Sequence, residues 1–318
     1  MQENEMKNRE AQDREKLQLL DTEQRNPASM EIDRMSTLDM VTMINQEDHR
    51  CAEAVRQVLP EIARSVELIW EQLRKGGRLF YVGAGTSGRL GVLDAAECPP
   101  TYGVPPEMVI GLIAGGSGAL LKAVEGAEDS PELGRQDLID HGFSAGDALV
   151  GIAASGRTPY VIGAMDYARE KGAPVMALTC CRDSEMSRHA DVTMAPVPGP
   201  EVITGSSRMK SGTCQKLVLN MLSTCVMVKL GKVYGNLMVD VQATNGKLVD
   251  RAVRIVRTAA GTDAETARAA LEACGFRCKT AIVMLLTGRQ AEEAEELLRE
   301  TGGRIAAAVD QQGRLPGE

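Results

Sequence analysis

Short apolar runs alternate with glycine-rich turns and helical segments through the middle of the chain. Five such runs occur in order, at residues 79–82, 109–113, 148–152, 175–178 and 191–194. Runs of this kind, without polar alternation, are typical of parallel strands that are covered on both faces. The pattern therefore predicts an α/β fold with a doubly wound parallel sheet of five strands.

Helical periodicity flanks the predicted strands on both sides. Before them, apolar residues recur every three to four positions between Val55 and Leu73, and residues 36–39 have the spacing of a helix N-cap. A pair of helices is therefore expected there. After the strands, the segments predicted to be helical are 208–229, 237–258 and, as three short helices, 263–298.

Composition and charge argue against nucleic-acid partners, membrane partners and metal sites. The 318 residues carry a net charge of −8 with acids and bases interspersed, so we expect no nucleic-acid partner. No apolar stretch reaches the roughly 20 residues that span a bilayer, which predicts a cytoplasmic protein without a membrane partner. The eight cysteines lack paired CxxC spacing and only three histidines are present, so we expect no metal and no other cofactor.

Two loops rich in glycine and hydroxyl side chains follow the first and third predicted strands. Ligands of open parallel sheets lie beyond the carboxyl ends of the strands, where helix N-termini present unpaired N–H groups. Together the loops would form a phosphate cradle of hydroxyls and backbone amides. The candidate residues are Gly85, Thr86, Ser87, Ser155, Gly156, Arg157 and Thr158.

The first loop also matches the GxGxxG pattern of dinucleotide-binding proteins. That pattern requires an acid at the end of the following strand, and residues 113–117 contain none. The hydroxyls of Thr86 and Ser87 favour a phosphomonoester over a pyrophosphate. Two alternatives remain open at this point, a nucleotide site and loops that only connect strands to helices.

A third loop, residues 205–212, lies around the start of the predicted helix 208–229. Helix capping would explain one serine, whereas basic side chains beside two serines favour a phosphorylated or acidic ligand. The candidate residues of this loop are Ser206, Ser207 and Lys210. Carboxylates that could act as acid or base are Glu97, Glu125 and Glu128, although isolated acids at helix ends are usually solvated surface.

Six blocks of sequence contain these residues in order, at 82–90, 97–103, 123–129, 153–160, 199–210 and 235–240. Together they resemble the N-acetylmuramic acid 6-phosphate etherase family, which belongs to the sugar isomerase (SIS) fold group. The resemblance runs from about residue 32 to residue 286, and six ordered blocks are far more specific than one glycine motif. The segment 116–119 looks smaller than is usual in the family.

The resemblance implies cleavage of the D-lactyl ether of N-acetylmuramic acid 6-phosphate, giving N-acetylglucosamine 6-phosphate and D-lactate, in the recycling of cell-wall fragments. It carries the role of proton donor to Glu97 and that of second catalytic group to Glu128, and it does not extend to Glu125. A homodimer that works without metal is also implied. The expected domains are a mobile arm at 1–35, an SIS phosphosugar-binding domain at 36–260 and a small helical domain at 261–318.

The implied reaction is an elimination followed by a hydration. Ring opening exposes an aldehyde that acidifies the C2 hydrogen, so Glu128 would take that proton while Glu97 protonates the departing oxygen. A donor glutamate has to be protonated near neutral pH, so Glu97 is expected to be partly desolvated or near another acid. Two other functions stay open, a non-catalytic phosphosugar sensor similar to glucokinase regulatory protein and a phosphosugar isomerase.

Overall fold

The computed structural model describes residues 23–122, 124–241 and 245–312, so most of the predicted arm at 1–35 lies outside the described residues. The described chain divides into two compact units. The first holds the residues up to Ala95 together with Val109–Leu222, and the second holds Ala96–Met108 together with the residues from Ser223 onward. The domain boundaries at 35 and 260 stay a prediction.

The first unit contains a parallel sheet of five strands, which confirms the fold predicted from the apolar runs. The strands are β1 Leu79–Gly83, β2 Val109–Ile113, β3 Ala148–Ile152, β4 Val175–Leu178 and β5 Val192–Met194. Their order is β2-β1-β3-β4-β5. Because β3 lies beside β1 and not beside β2, the sheet changes its direction of growth between β1 and β3, and ligands of open α/β sheets bind at such a position.

Helices cover both faces of this sheet. They are α1 Thr37–Arg56, α2 Leu59–Leu73, α3 Gly85–Tyr102, α4 Pro131–Asp140, α5 Pro159–Glu170 and α6 Lys210–Lys229. Phe80 and Leu149 share a buried cluster with Met165 of α5, while Gly91 of α3 lies against Tyr81 on the opposite face. A fully buried side chain of this size stabilises the fold by about 1.5–3 kcal/mol, which explains why the strands are uniformly apolar.

The helical pair expected before the sheet is present as α1 and α2. Ser36 caps α1, because its side chain accepts a hydrogen bond from the backbone N–H of Asp39 at 3.2 Å. Two short helical turns, Pro27–Ser29 and Ile32–Arg34, precede α1. The first of them is held to the unit by Ser29, whose hydroxyl donates to the carbonyl of Val202 at 2.7 Å.

The second unit is mainly helical. Its own helices are α7 Gly246–Ala260, α8 Ala264–Ala273, α9 Cys278–Thr287, α10 Ala291–Glu300 and α11 Ile305–Gln312. The prediction of three short helices in 263–298 is confirmed by α8, α9 and α10. No helix within the described residues is long and apolar enough to cross a membrane.

The prediction of a helix over residues 237–258 is wrong at its start. Leu237–Met238 is a short strand, β7, which pairs antiparallel with β6, Val233–Tyr234. The intervening Gly235 has a φ of +58°, so a tight hairpin turn replaces the expected helical start. Helix α7 begins only at Gly246, where the side chain of Asn245 accepts from the N–H of Leu248 at 3.0 Å.

Candidate active site

A cavity of about 260 Å³ lies in the first unit, where the loops after β1 and β3 meet. Its lining combines both predicted loops with three residues from elsewhere in the unit. The lining residues are Glu23, Ala84, Gly85, Thr86, Ser87, Glu128, Ala153, Ala154, Ser155, Thr158 and Ser207. Six of the ten residues predicted to bind phosphate are among them, so the two loops are brought together as expected.

The first loop is tight because two glycines pack against each other. A Cβ atom on Gly83 would lie 2.7 Å from the backbone nitrogen of Gly88, and one on Gly88 would lie 2.6 Å from the carbonyl oxygen of Gly83. Gly85 begins α3 with a φ of +52°, which favours glycine. Since the first N–H groups of a helix have no partner within the helix, this loop presents free amide donors beside the hydroxyls of Thr86 and Ser87.

The second loop depends on Gly156, which has a φ of +64°. A Cβ atom there would lie 2.4 Å from the Cβ of Ser184, so the loop packs too closely on Ser184 for any other residue. Ser155 and Thr158 line the cavity, and Gly156 and Arg157 do not. Thr158 precedes α5 without capping it through its side chain, which leaves a second helix N-terminus open to a ligand.

In the third loop Ser207 lines the cavity and Ser206 does not. Lys210 is fully buried, and its ammonium lies 2.5 Å from Glu47 and 3.2 Å from the carbonyl oxygen of Pro198. Its side chain is thus occupied by the fold, which argues against the predicted ligand contact. Burial opposes ionisation of Glu47, but hydrogen bonds from Lys210 and Asn26 outweigh it and lower the pKa of that carboxyl.

The N-terminus of α6 is capped by a carboxylate from an earlier loop. The carboxylate of Glu201 accepts from the backbone N–H groups of Lys210 and Ser211, each at 2.9 Å. Glu201 is completely buried, and a negative charge at a helix N-terminus is favourable. A carboxylate nine residues before the helix has no capping spacing, so no local sequence pattern indicates this contact.

The carboxylates of the cavity are Glu128 and Glu23. Glu128 lies in a short helical turn, Ala127–Asp129, and is exposed. Glu125, only three residues earlier, is not part of the lining. Sequence reasoning missed Glu23, because this residue lies in the arm predicted at 1–35 and nothing in the sequence places it beside the loops.

Glu97 lies on the part of α3 that belongs to the second unit, and its side chain is exposed. The partial desolvation expected for a proton donor is therefore not supplied by this chain. Its assignment as proton donor stays a prediction.

Electrostatics decide how an anion could be held in the cavity. Among the lining residues that the structure describes there is no lysine or arginine, so these residues would bind a phosphate through hydroxyls, amide N–H groups and the positive ends of two helix dipoles. Glu23 and Glu128 would repel a phosphate at short range, and they fit better beside the uncharged part of a ligand. The arrangement suits a molecule with a phosphate at one end and reactive C–H or O–H groups at the other.

A second cavity, of about 480 Å³, lies in the second unit. Its ionic groups are already paired, because Asp240 Oδ2 lies 3.0 Å from Lys232 Nζ and 2.8 Å from Lys279 Nζ. Burial lowers the pKa of Lys279, and Asp240 partly opposes this shift. Over the ranges 23–122, 124–241 and 245–312, no three His, Cys, Asp or Glu side chains are grouped so that they could hold a metal ion.

Comparison with known proteins gives matches over most of the chain. The family described as "Glucokinase regulatory protein N-terminal SIS domain" matches residues 61–169, and the SIS domain family matches residues 138–225. An N-acetylmuramic acid 6-phosphate etherase from Yersinia pestis (strain Pestoides F) is 62% identical over 288 residues, which cover 91% of this chain and 98% of that protein. The protein of the same name from Yersinia pseudotuberculosis serotype O:1b is equally similar, at 62% over the same coverage.

Solved structures that match this chain have lower sequence identity. A phosphoheptose isomerase from Neisseria gonorrhoeae is 22% identical with a TM-score of 0.49, and the match covers 60% of this chain and 98% of that one. A phosphoheptose isomerase from Francisella tularensis is 17% identical with a TM-score of 0.47, covering 61% of this chain and 100% of that one. These distant matches add nothing to the functional argument.

Proposed function

This chain belongs to the N-acetylmuramic acid 6-phosphate etherase family, and from that premise we propose that it cleaves the D-lactyl ether of N-acetylmuramic acid 6-phosphate. The products are N-acetylglucosamine 6-phosphate and D-lactate, and the setting is the recycling of cell-wall amino sugars in the cytoplasm. The enzyme is a carbon–oxygen lyase that uses neither a metal nor a cofactor.

The observation that supports this function best is the joint lining of the first-unit cavity. Hydroxyl-bearing residues of both loops, Thr86, Ser87, Ser155 and Thr158, line the same space as Glu128. We assign the C6 phosphate of the sugar to Thr86, Ser87, Ser155 and Thr158. The C2 and C3 atoms of the same sugar then lie towards the carboxylates.

The proposed chemistry proceeds through the open-chain aldehyde. Glu128 removes the C2 proton, the C3–O bond to lactate breaks, and Glu97 gives its proton to the departing oxygen. Water then adds at C3 of the resulting enal, with Glu97 taking its proton and Glu128 returning the proton to C2. The sum is substrate plus water to N-acetylglucosamine 6-phosphate plus D-lactate, and both glutamates recover their initial states.

Glu97 needs a drier environment than this chain gives it. Bound substrate or a second copy of the chain has to cover the exposed carboxyl of Glu97 if this residue is to act as the proton donor. A homodimer is therefore part of the proposal. Sedimentation equilibrium of the purified protein should give about twice the mass of the 34.1 kDa chain.

The deciding experiment is incubation with N-acetylmuramic acid 6-phosphate, followed by an enzymatic assay for D-lactate. Release of one lactate per sugar supports the etherase. Binding without lactate would favour the phosphosugar sensor, which the match to the glucokinase regulatory protein domain keeps in view. Interconversion of aldose and ketose phosphates without lactate would favour the isomerase.

A further inference from the structure

Ser87 carries the most enclosed hydroxyl among the described lining residues, and this hydroxyl contacts a buried side chain of α6. Ser87 is 8% exposed, and its Oγ is 2.9 Å from Oε1 of Gln215, which is 1% exposed. Gln215 is on α6, so two helices meet at this contact. In this arrangement the Ser87 hydroxyl donates its only proton to Gln215 and turns lone pairs towards the cavity.

The other end of the same amide has no partner. Nε2 of Gln215 is buried and makes no hydrogen bond within the described residues. A buried donor without a partner costs about 1–3 kcal/mol, so it calls for a physical reason. The ligand expected in the cavity supplies this reason, because a phosphate offers only hydrogen-bond acceptors.

A phosphate dianion offers only acceptors, so a hydroxyl helps to bind it only by donating. Ser87 cannot donate to Gln215 and to a phosphate at once. A half-turn of the amide exchanges its oxygen and nitrogen with almost no change of shape. Nε2 then donates to Ser87 Oγ, and the Ser87 proton is free to point into the cavity.

We propose that Gln215 is a positioning residue that directs the Ser87 hydroxyl towards the substrate's phosphate. One end of the Gln215 amide lacks a partner in either orientation, so neither orientation is favoured by the protein alone. The occupant of the cavity therefore decides which orientation the amide adopts. An empty cavity leaves the Ser87 proton on the Gln215 oxygen, and an anion draws it out while Nε2 gains its missing partner. This inference rests on the proposed function, because it assigns the phosphate of that substrate to the first loop.

The test compares two substitutions of similar size. Gln215→Glu presents only acceptors when it is ionised, so it holds the Ser87 proton away from the cavity, whereas Gln215→Met leaves the hydroxyl free to turn. With N-acetylglucosamine 6-phosphate as the probe, titration calorimetry at pH 8 should show weakening of about tenfold or more for Gln215→Glu. The effect of Gln215→Met should be several times smaller.

A pH series separates positioning from a merely structural role. A buried glutamic acid has a raised pKa, and once protonated it can donate to Ser87 as the amide does. The ratio of the Gln215→Glu dissociation constant to that of the wild type should therefore fall as pH drops from 8 to 6. A ratio that stays constant over this range overturns the proposal.

A double-mutant cycle keeps the proposal testable if Gln215→Glu does not fold. In the Ser87→Ala background, Gln215→Met should change the affinity for the probe by less than twofold, since no hydroxyl remains to be directed. An undiminished effect in that background contradicts the positioning role. Binding of the probe is measured without turnover, so the two proposals fail separately. Absence of D-lactate release would overturn the etherase function, whereas the positioning role of Gln215 is decided by the affinities alone.

Discussion

Two of the cavities among the described residues, the one beside Glu128 and the one beside Asp240, differ in whether their polar groups already have partners. In the second unit, Asp240 lies within ion-pair distance of Lys232 and Lys279, and Arg277 of the same cavity pairs with Glu295 outside the lining. In the first unit, the described lining residues bring hydroxyls, helix N-termini and the carboxylates Glu23 and Glu128 to an open space, and none of them is basic. Paired charges therefore mark a structural role here, whereas hydroxyls and helix N-termini at an open space mark the place of a ligand.

The largest effect is expected from the carboxylate that shares the cavity with the phosphate loops. Glu128→Gln should lower D-lactate release by about 100- to 10,000-fold, because a general base is lost, with little change in thermal stability. Glu125→Gln is the matched control, since Glu125 lies three residues away and outside the lining. Equal loss in both variants would mean that the cavity does not identify the reacting group.

The buried ion pair of Lys210 and Glu47 tests whether paired charges stabilise the fold. Lys210→Met should lower the free energy of unfolding by about 3 kcal/mol, because the buried carboxylate of Glu47 then loses its ammonium partner and keeps only Asn26 and the exposed Arg50. Urea denaturation measures the change, and Glu47→Gln in the same chain should recover part of it. Arg208→Met, an exposed change two residues earlier, is expected to be nearly neutral.

A hydroxyl in the cavity should matter for affinity more than for rate. Ser155→Ala removes one donor to the phosphate, so KM should rise by about tenfold or more while kcat changes little. Steady-state kinetics with N-acetylmuramic acid 6-phosphate checks this. Ser206→Ala is the control, because Ser206 is outside the lining, and a similar rise in its KM would count against the assignment.

A substitution in the second-unit cavity should change stability and leave the kinetics unchanged. Asp240→Asn leaves two lysines without their carboxylate, so unfolding should become easier by about 1–3 kcal/mol while KM and kcat keep their values. Thermal denaturation and kinetics on the same sample provide the measurements. A rise in KM with unchanged stability would show that this cavity takes part in substrate binding.

The smallest effect is a dependence of stability on acid. Burial opposes ionisation of Asp147, but hydrogen bonds from Arg78 and from the N–H of Ser144 outweigh it, so the pKa of Asp147 is lowered in the folded state. Its contribution is therefore present above the unfolded value of about 3.9 and is lost as pH falls through the folded pKa. The difference in unfolding free energy between wild type and Asp147→Asn should shrink below about pH 4.

The sheet and the two loops could be predicted because their signals are local. Uniform apolar runs at 79–82 and 148–152 indicate buried strands, and the glycines that follow indicate sharp turns at their ends. The presence of Thr86 and Ser155 beside the same cavity followed from these signals and from the rule that parallel strands place their carboxyl ends together.

The rest of the site depends on contacts between distant parts of the chain. Glu23 reaches the cavity from a segment without helical or strand periodicity, and no spacing rule connects it with residue 85 or residue 155. The serines beside Lys210 favoured an anion-binding role for this residue. Its contact with Glu47 has no local signal, because Glu47 lies 163 residues away in sequence. The strand at 237–238 was missed because an apolar stretch of that length fits a helix equally well.

The lining of the first-unit cavity extends from Glu23 to Ser207, and this spacing links ligand binding to folding. No shorter fragment of the chain contains all the contacts, so the unfolded chain has no affinity for the sugar phosphate. Substrate at 100 times its dissociation constant should then stabilise the native state by about 2.7 kcal/mol. Inside a cell, the supply of amino sugar would therefore influence how much of this protein is folded at a given moment and how long it survives proteolysis.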